Sequence, residues 1–143
     1  MDGREGIKGS DMVKSKPVVN KKIIAKWQSI VDLAARIVNV PASLVMKTDA
    51  PRHDVLVSSK GGNNPYFVGQ SFDLGPKLYC HAVLRDCDEL LVHDARSDPD
   101  WNDNDDLEQD MSFYLGYPLQ WPDGSLFGTI CVLDRRDNPK AVL

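Results

Sequence analysis

The residues able to do chemistry crowd into one short stretch, LYCHAVLRDC at positions 78–87, which holds a tyrosine, an imidazole and two thiols. With His93 just downstream, Cys80, His81 and Cys87 supply the right donor types for tetrahedral zinc. Their spacing opposes it. Neighbours on a helix point about 100° apart, so Cys80 and His81 do not converge on one ion, and there is no C-x-x-C pair. No metal is expected. A redox reading would start from Cys80, with Cys87 as the only thiol able to resolve a sulfenic acid on it. Two helical turns between them give about 10 Å of rise, too far for a disulfide without unfolding. Cys131 lies in an apolar run and is expected to be buried and inert. Asp98, Asp100 and Asn102 imitate the start of a calcium loop, but Asp103 stands where glycine is needed and Gln109 where glutamate is needed. There is no P-loop and no dinucleotide fingerprint. No Ser/His/Asp pattern marks a hydrolase, so no catalytic residue is assigned.

The elements that must position this stretch read clearly. The chain has 143 residues, enough for one domain with a core. It contains three cysteines, too few for a disulfide framework. No apolar run is long enough to span a bilayer. Without an apolar region at the N-terminus there is no secretory signal, and a cytoplasmic location is expected. The net charge is -4. Its acidic share concentrates in 86–110, where Arg96 is the sole Lys or Arg, which argues against a nucleic-acid partner. Residues 1–17 read as a flexible leader or an expression remnant, and 18–143 as a single domain. Ile23, Ile24, Trp27, Ile30, Val31, Ala34, Ile37 and Val38 follow helical spacing, with Asn20 and Asn39 as caps. Two strands, 43–49 and 54–59, pair as a hairpin through an APRH turn. KGGNNP is a loop. The chemical stretch itself is a helix, followed by a short strand at 89–95, an acidic loop and a short helix. Asp105, Asp106 and Glu108 suit that helix's first turn. The last hairpin turns at WPDG, and its return strand, SLFGTICVLD, is expected to be central. The class is α+β with an antiparallel sheet.

The run YLGYPLQWPDGSLFGTICVLD makes the pattern specific. It resembles the closing hairpin of GAF domains, small sensory modules related to PAS domains. LYCHAVL, LLVHDARSDPDWNDNDDL and the NVPASLVMKTD entry to the first strand resemble the same family, over about residues 20–137. The subgroup it looks like sits ahead of histidine kinase or diguanylate cyclase modules in bacteria. The resemblance implies a central antiparallel sheet, helices on one face, and on the other a ligand pocket covered by loops and a helix. It implies a homodimer through the N-terminal helix and a linked output module, whose C-terminal signalling helix is largely absent here. It also implies a small-molecule sensor rather than an enzyme, in a two-component type of system, with no membrane insertion in this segment. Tyr79, Cys80 and His81 are candidates to line the pocket. Tyr66, Asp94 and Trp121 are further candidates, and Trp101 is expected to cover it. The ligand is not named by these residues. A covalent bilin would need its Cys-His pair on the helix before the YLGYPL strand, where Asp103 and Asn104 stand. An enzyme like free methionine-R-sulfoxide reductase would match Cys80, but its second cysteine is missing from DPDWNDNDD. A thiol-based redox protein and a dimerisation module with a vestigial pocket stay open as alternatives.

Overall fold

The structure, a computed structural model, describes residues 19–137. The leader at 1–17 and the chain after 137 lie outside the described residues. Helix α1 (Lys21–Val38) starts where the Asn20 side chain accepts from the Ile23 amide at 3.0 Å. It ends at Asn39, which takes the left-handed conformation at φ 62° that asparagine tolerates. Six strands follow around a second helix. They are β1 (Ala42–Asp49), β2 (Arg52–Ser58), β3 (Ser71–Asp73), β4 (Leu90–Val92), β5 (Phe113–Gln120) and β6 (Leu126–Asp134), with α2 (Tyr79–Asp86) between β3 and β4.

The strands form one antiparallel sheet in the order β3-β2-β1-β6-β5-β4. The apolar β6 is central, as its composition demands. The β1–β2 hairpin is tighter than expected. Only Ala50 and Pro51 make the turn, so Arg52 and His53 belong to β2 rather than to a loop. The short strand β3 was not foreseen, because Ser71–Asp73 has no apolar alternation to mark it. The expected strand at 89–95 shrinks to Leu90–Val92, since Asp94 turns to cap a 3₁₀ turn at Ala95–Ser97. The expected short helix is a 3₁₀ turn, Asp105–Gln109, capped by Asn104.

Each strand presents alternate residues to opposite faces. Val45, Val57 and Phe127 face α1 and pack on Val31. Leu44, Met46, Cys131 and Leu133 face α2 and pack on Tyr79, Cys80 and Val83. A bulge in β2 breaks the count. Val45 pairs with Val57 while Met46 pairs with Val55, leaving Leu56 extra. The bulge re-aims the strand, so His53 and Val55 face α2 although Val57 faces α1. Gly128 sits where β6 runs closest to β1: a Cβ there would lie 1.8 Å from the Met46 carbonyl oxygen.

Candidate functional site

The α2 face carries a cluster of buried polar groups around a small cavity. Leu44 and Met46 of β1, His53 of β2, and Cys131 and Leu133 of β6 form its floor. Tyr114, Tyr66 and Phe72 wall it, and Leu78, Cys80 and Asp106 cover it. Its volume is about 20 Å³, room for about one water.

His53 is only 1% exposed. Its Nδ1 lies 2.8 Å from Thr48 Oγ1, while Nε2 is buried without a hydrogen-bond partner. When Nδ1 donates to Thr48, Nε2 is left as a bare acceptor at the cavity wall. Such a group costs about 1–3 kcal/mol when nothing meets it.

Asp106 faces it. The Tyr66 hydroxyl donates to Oδ1 at 3.0 Å, and the Tyr79 amide donates to Oδ2 at 3.4 Å. As a residue Asp106 is part-buried, but its carboxyl sits deep enough for desolvation to dominate. Burial, with the charge of the Cys80 thiol beside it, pushes the carboxyl up to about 7, against the pull of the two donors. Burial and the same carboxylate push the Tyr66 phenol well up.

The thiols complete the cluster. Cys80 Sγ lies 3.4 Å from Thr129 Oγ1 and 3.5 Å from Tyr114 Oη. Thr129, Cys131 and Leu133 share one face of β6 by alternation, and Tyr114 pairs with Leu133. The two partners of Cys80 therefore flank Cys131, and both thiols line the same cavity. Tyr114 reaches this point by folding back over Gly116, the cross-strand neighbour of Cys131. A Cβ at Gly116 would stand 2.2 Å from the Tyr114 hydroxyl. Hydrogen bonding to Cys131 outweighs burial and, with His53 nearby, holds the Cys80 thiol well below its ordinary range. Hydrogen bonding to Cys80, then burial and that sulfur's charge, push Cys131 well up. Of the pair, Cys80 is the more acidic thiol.

The structure brings together only some of the residues expected in the pocket. Tyr66 and Cys80 line the cavity. Tyr79 is fully buried beside it, with its hydroxyl donating to the Met111 carbonyl at 2.7 Å and its ring stacked on Tyr114 at 4.6 Å. Trp101 is half-buried and covers Tyr79 from outside at 5.4 Å between ring centroids. His81 is half-exposed, one step round the helix from Cys80, and does not line the cavity. Asp94 is exposed and engaged, accepting from Ser112 Oγ at 2.8 Å, Ser97 Oγ at 3.0 Å and the Arg96 amide at 3.2 Å. The Ser112 and Ser97 bonds hold its carboxyl below the usual range. Trp121 is on the other face of the sheet, edge-on to Phe127 at 5.1 Å, because it lies past the last hairpin pair on the α1 side.

Two thiol expectations need correction. Cys87 is exposed at the end of α2, where Gln120 Nε2 meets its sulfur at 3.2 Å, and it turns away from Cys80. The thiol sharing the cavity with Cys80 is Cys131, which is buried as expected but not isolated. Although His53, Cys80, Asp106 and Cys131 share one cavity, no three acids, thiols or imidazoles among the described residues are placed to hold one metal ion. No helix among them is long and apolar enough to cross a membrane.

A single antiparallel sheet with one helix on each face and a polar cavity under the second is an architecture shared with solved GAF domains. Residues 23–141 match the family model of the GAF domain, and the chain belongs to that family. Solved structures share the fold at low identity. The GAF domain of PixJ from Thermosynechococcus elongatus, in its blue-light-absorbing form, is 15% identical with a TM-score of 0.65, covering 82% of this chain and 72% of that one. A type II free methionine-R-sulfoxide reductase from Thermoplasma acidophilum is 11% identical with a TM-score of 0.62, covering 82% and 79%. The GAF domain of an Acinetobacter phosphoenolpyruvate-protein phosphotransferase is 14% identical with a TM-score of 0.60, covering 81% and 68%. Among curated proteins no sequence matches the chain.

Proposed function

We propose that the chain is the sensory domain of a bacterial signalling protein. It binds a small polar molecule on the α2 face and biases a linked output module, without catalysing a reaction itself. The observation that carries this reading is His53 Nε2, buried, unpartnered and at the wall of a cavity that Asp106 and Tyr66 also line. A protein interior rarely leaves such a group unmet, and a ligand that donates to it recovers the cost. His53 and Asp106 orient the ligand; Tyr79 and Asp94, expected to line the pocket, have their polar atoms engaged elsewhere. The present cavity admits only a very small ligand.

Titration of the full chain with a metabolite panel, read by tryptophan fluorescence, tests this. A binder should change the emission; Trp101→Phe should remove most of the change and Trp121→Phe little of it. Binders whose affinity is the same in folded His53→Leu and Asp106→Asn variants would place the site elsewhere. Turnover of free methionine sulfoxide would favour the enzyme reading instead.

The same protein is a homodimer through α1. Ile23, Ile30 and Ile37 recur every seven residues on that helix, with Leu33 between the last two, and all four remain exposed, by 39% to 67%. That is the apolar seam of a helix pair. Ile30→Glu and Ile37→Glu should give monomers in analytical ultracentrifugation with unchanged circular dichroism. A wild-type monomer at high concentration would refute the pairing. A cytoplasmic location fits this role.

A further inference from the structure

The geometry points to a redox-active dithiol, Cys80 with Cys131, that closes to an intramolecular disulfide when hydrogen peroxide enters the α2-face cavity. This goes beyond the ligand-sensing role and does not depend on it. Both thiols line the same small cavity, and Cys80 is bonded to Thr129 and Tyr114, the groups on either side of Cys131. They come from different elements, the first turn of α2 and the centre of β6, so joining them staples the helix to the sheet. Cys80 is placed to react first. It lies in the first turn of a helix, where the macrodipole favours thiolate. Both His53, whose Nε2 has no hydrogen-bond partner, and Cys131 line the same cavity. The third cysteine, Cys87, is exposed and outside the cavity.

The chemistry balances with peroxide as oxidant. The Cys80 sulfur attacks one peroxide oxygen and the O–O bond breaks. Cys80 becomes a sulfenic acid, and the second oxygen leaves as water with the thiol proton. The Cys131 sulfur then attacks Cys80, the S–O bond breaks as the S–S bond forms, and the oxygen leaves as a second water with the Cys131 proton. Two thiols are oxidised and one peroxide is reduced. The cavity also sets the choice of oxidant. At about 20 Å³ it accepts a molecule of roughly the size of water or hydrogen peroxide and excludes an aromatic hydroperoxide.

The full chain, treated with hydrogen peroxide, quenched and then alkylated under denaturing conditions, gives the test. Reduced protein has three free thiols. Oxidised protein should lose two hydrogens in intact mass and alkylate only at Cys87. A proteolytic peptide pair joined through Cys80 and Cys131 should appear and vanish on reduction. The wild-type result needs no variant; Cys87→Ser should form the same bridge and then alkylate nowhere, and Cys131→Ser should stop at oxygenated Cys80. Cumene hydroperoxide at equal concentration should oxidise the pair at least tenfold more slowly. A bridge to Cys87 or between chains, oxygenation of wild-type Cys80 with Cys131 left free, full retention of three thiols, or equal rates for the two oxidants would each overturn the assignment. Loss of ligand binding alone would bear only on the sensory reading.

Discussion

The two faces of the sheet are built from alternate residues of the same strands, yet they differ in kind. The α1 face is apolar almost throughout: Val31, Val45, Val57 and Phe127 form one cluster, and Val40, Phe113, Leu115 and Val132 another. Trp27 and Trp121 meet Phe127 edge-on at 5.4 and 5.1 Å, so three rings lock the helix to the last hairpin. One buried hydroxyl, Ser43, interrupts it. The α2 face buries His53, Thr129, Cys80, Cys131, Tyr66 and Tyr114 in a single cluster, with the Asp106 carboxyl turned in from a loop. The first face supplies cohesion. The second carries polar groups whose desolvation lowers stability, and their retention is the reason it is proposed as the working surface.

The largest effect expected from this contrast lies on the cohesive face. Phe127→Ala removes the ring that both tryptophans contact and should cost about 3–5 kcal/mol, read by denaturant unfolding. A cost below about 1 kcal/mol would mean that the ring cluster is peripheral.

The next effect belongs to the working face and depends on pH. In the unfolded chain the Asp106 carboxyl loses its proton near pH 4. In the folded chain it does so at about 7, chiefly through desolvation. Between those values the native state holds a proton that the unfolded state has lost. Its stabilising contribution is therefore complete at about pH 4 and below, and falls as the pH rises to about 7. Asp106→Asn keeps an acceptor for Tyr66 and removes the titration. Above neutral pH the variant should exceed wild type by roughly 2–4 kcal/mol, and its melting temperature should fall less than wild type's between pH 5 and 8. A wild-type profile that rises across that range would contradict the placement of the carboxyl.

The sequence showed the cohesive face better than the working one. Helical spacing and two asparagine caps located α1, and the apolar run of β6 placed it at the centre. The working face was harder because its polar members signal nothing individually. His53 reads as turn chemistry until the Leu56 bulge turns it inward, and a bulge leaves no mark in a short Val/Leu strand. Asp106 reads as one of three helix-start acids until the 3₁₀ turn aims its carboxyl under α2. Cys131 was legible as buried, and alternation along TICVL would have put Thr129 and Leu133 beside it. Its sharing of a cavity with Cys80 depends on where α2 lands, which no local pattern encodes. Trp121 packs on the α1 face, away from the cavity, because beyond the paired strand ends alternation no longer decides direction.

Gly116 gives a sharper probe of how tightly the working face is packed. Its missing Cβ is the space that the Tyr114 hydroxyl occupies, and Tyr114 is held from above by Tyr79. Gly116→Ala should therefore displace the phenol and cost about 1–3 kcal/mol by overpacking. It should also break the Tyr114 contact to Cys80. Adding Tyr114→Leu should recover part of the loss, giving a non-additive double-mutant cycle. Additive costs would mean that the strain lies in the strand backbone and not in the ring.

The smallest effect on stability separates function from packing most cleanly. His53 is buried with one ring nitrogen bonded to Thr48 and the other unmet. If the imidazole were there to hold the fold, removing it would cost a few kcal/mol, as truncation of buried side chains does. An unmet buried nitrogen argues the opposite. His53→Leu fills nearly the same volume without a polar atom, and Thr48, which is only half-buried, turns to water. The loss of one hydrogen bond and the relief of one orphaned acceptor nearly cancel. The variant should unfold within about 1 kcal/mol of wild type, on the stable side, while losing any ligand that meets Nε2. Chemical denaturation and fluorescence titration on the same samples read both quantities. A large destabilisation with ligand affinity intact would make His53 a packing residue and remove the main distinction between the two faces.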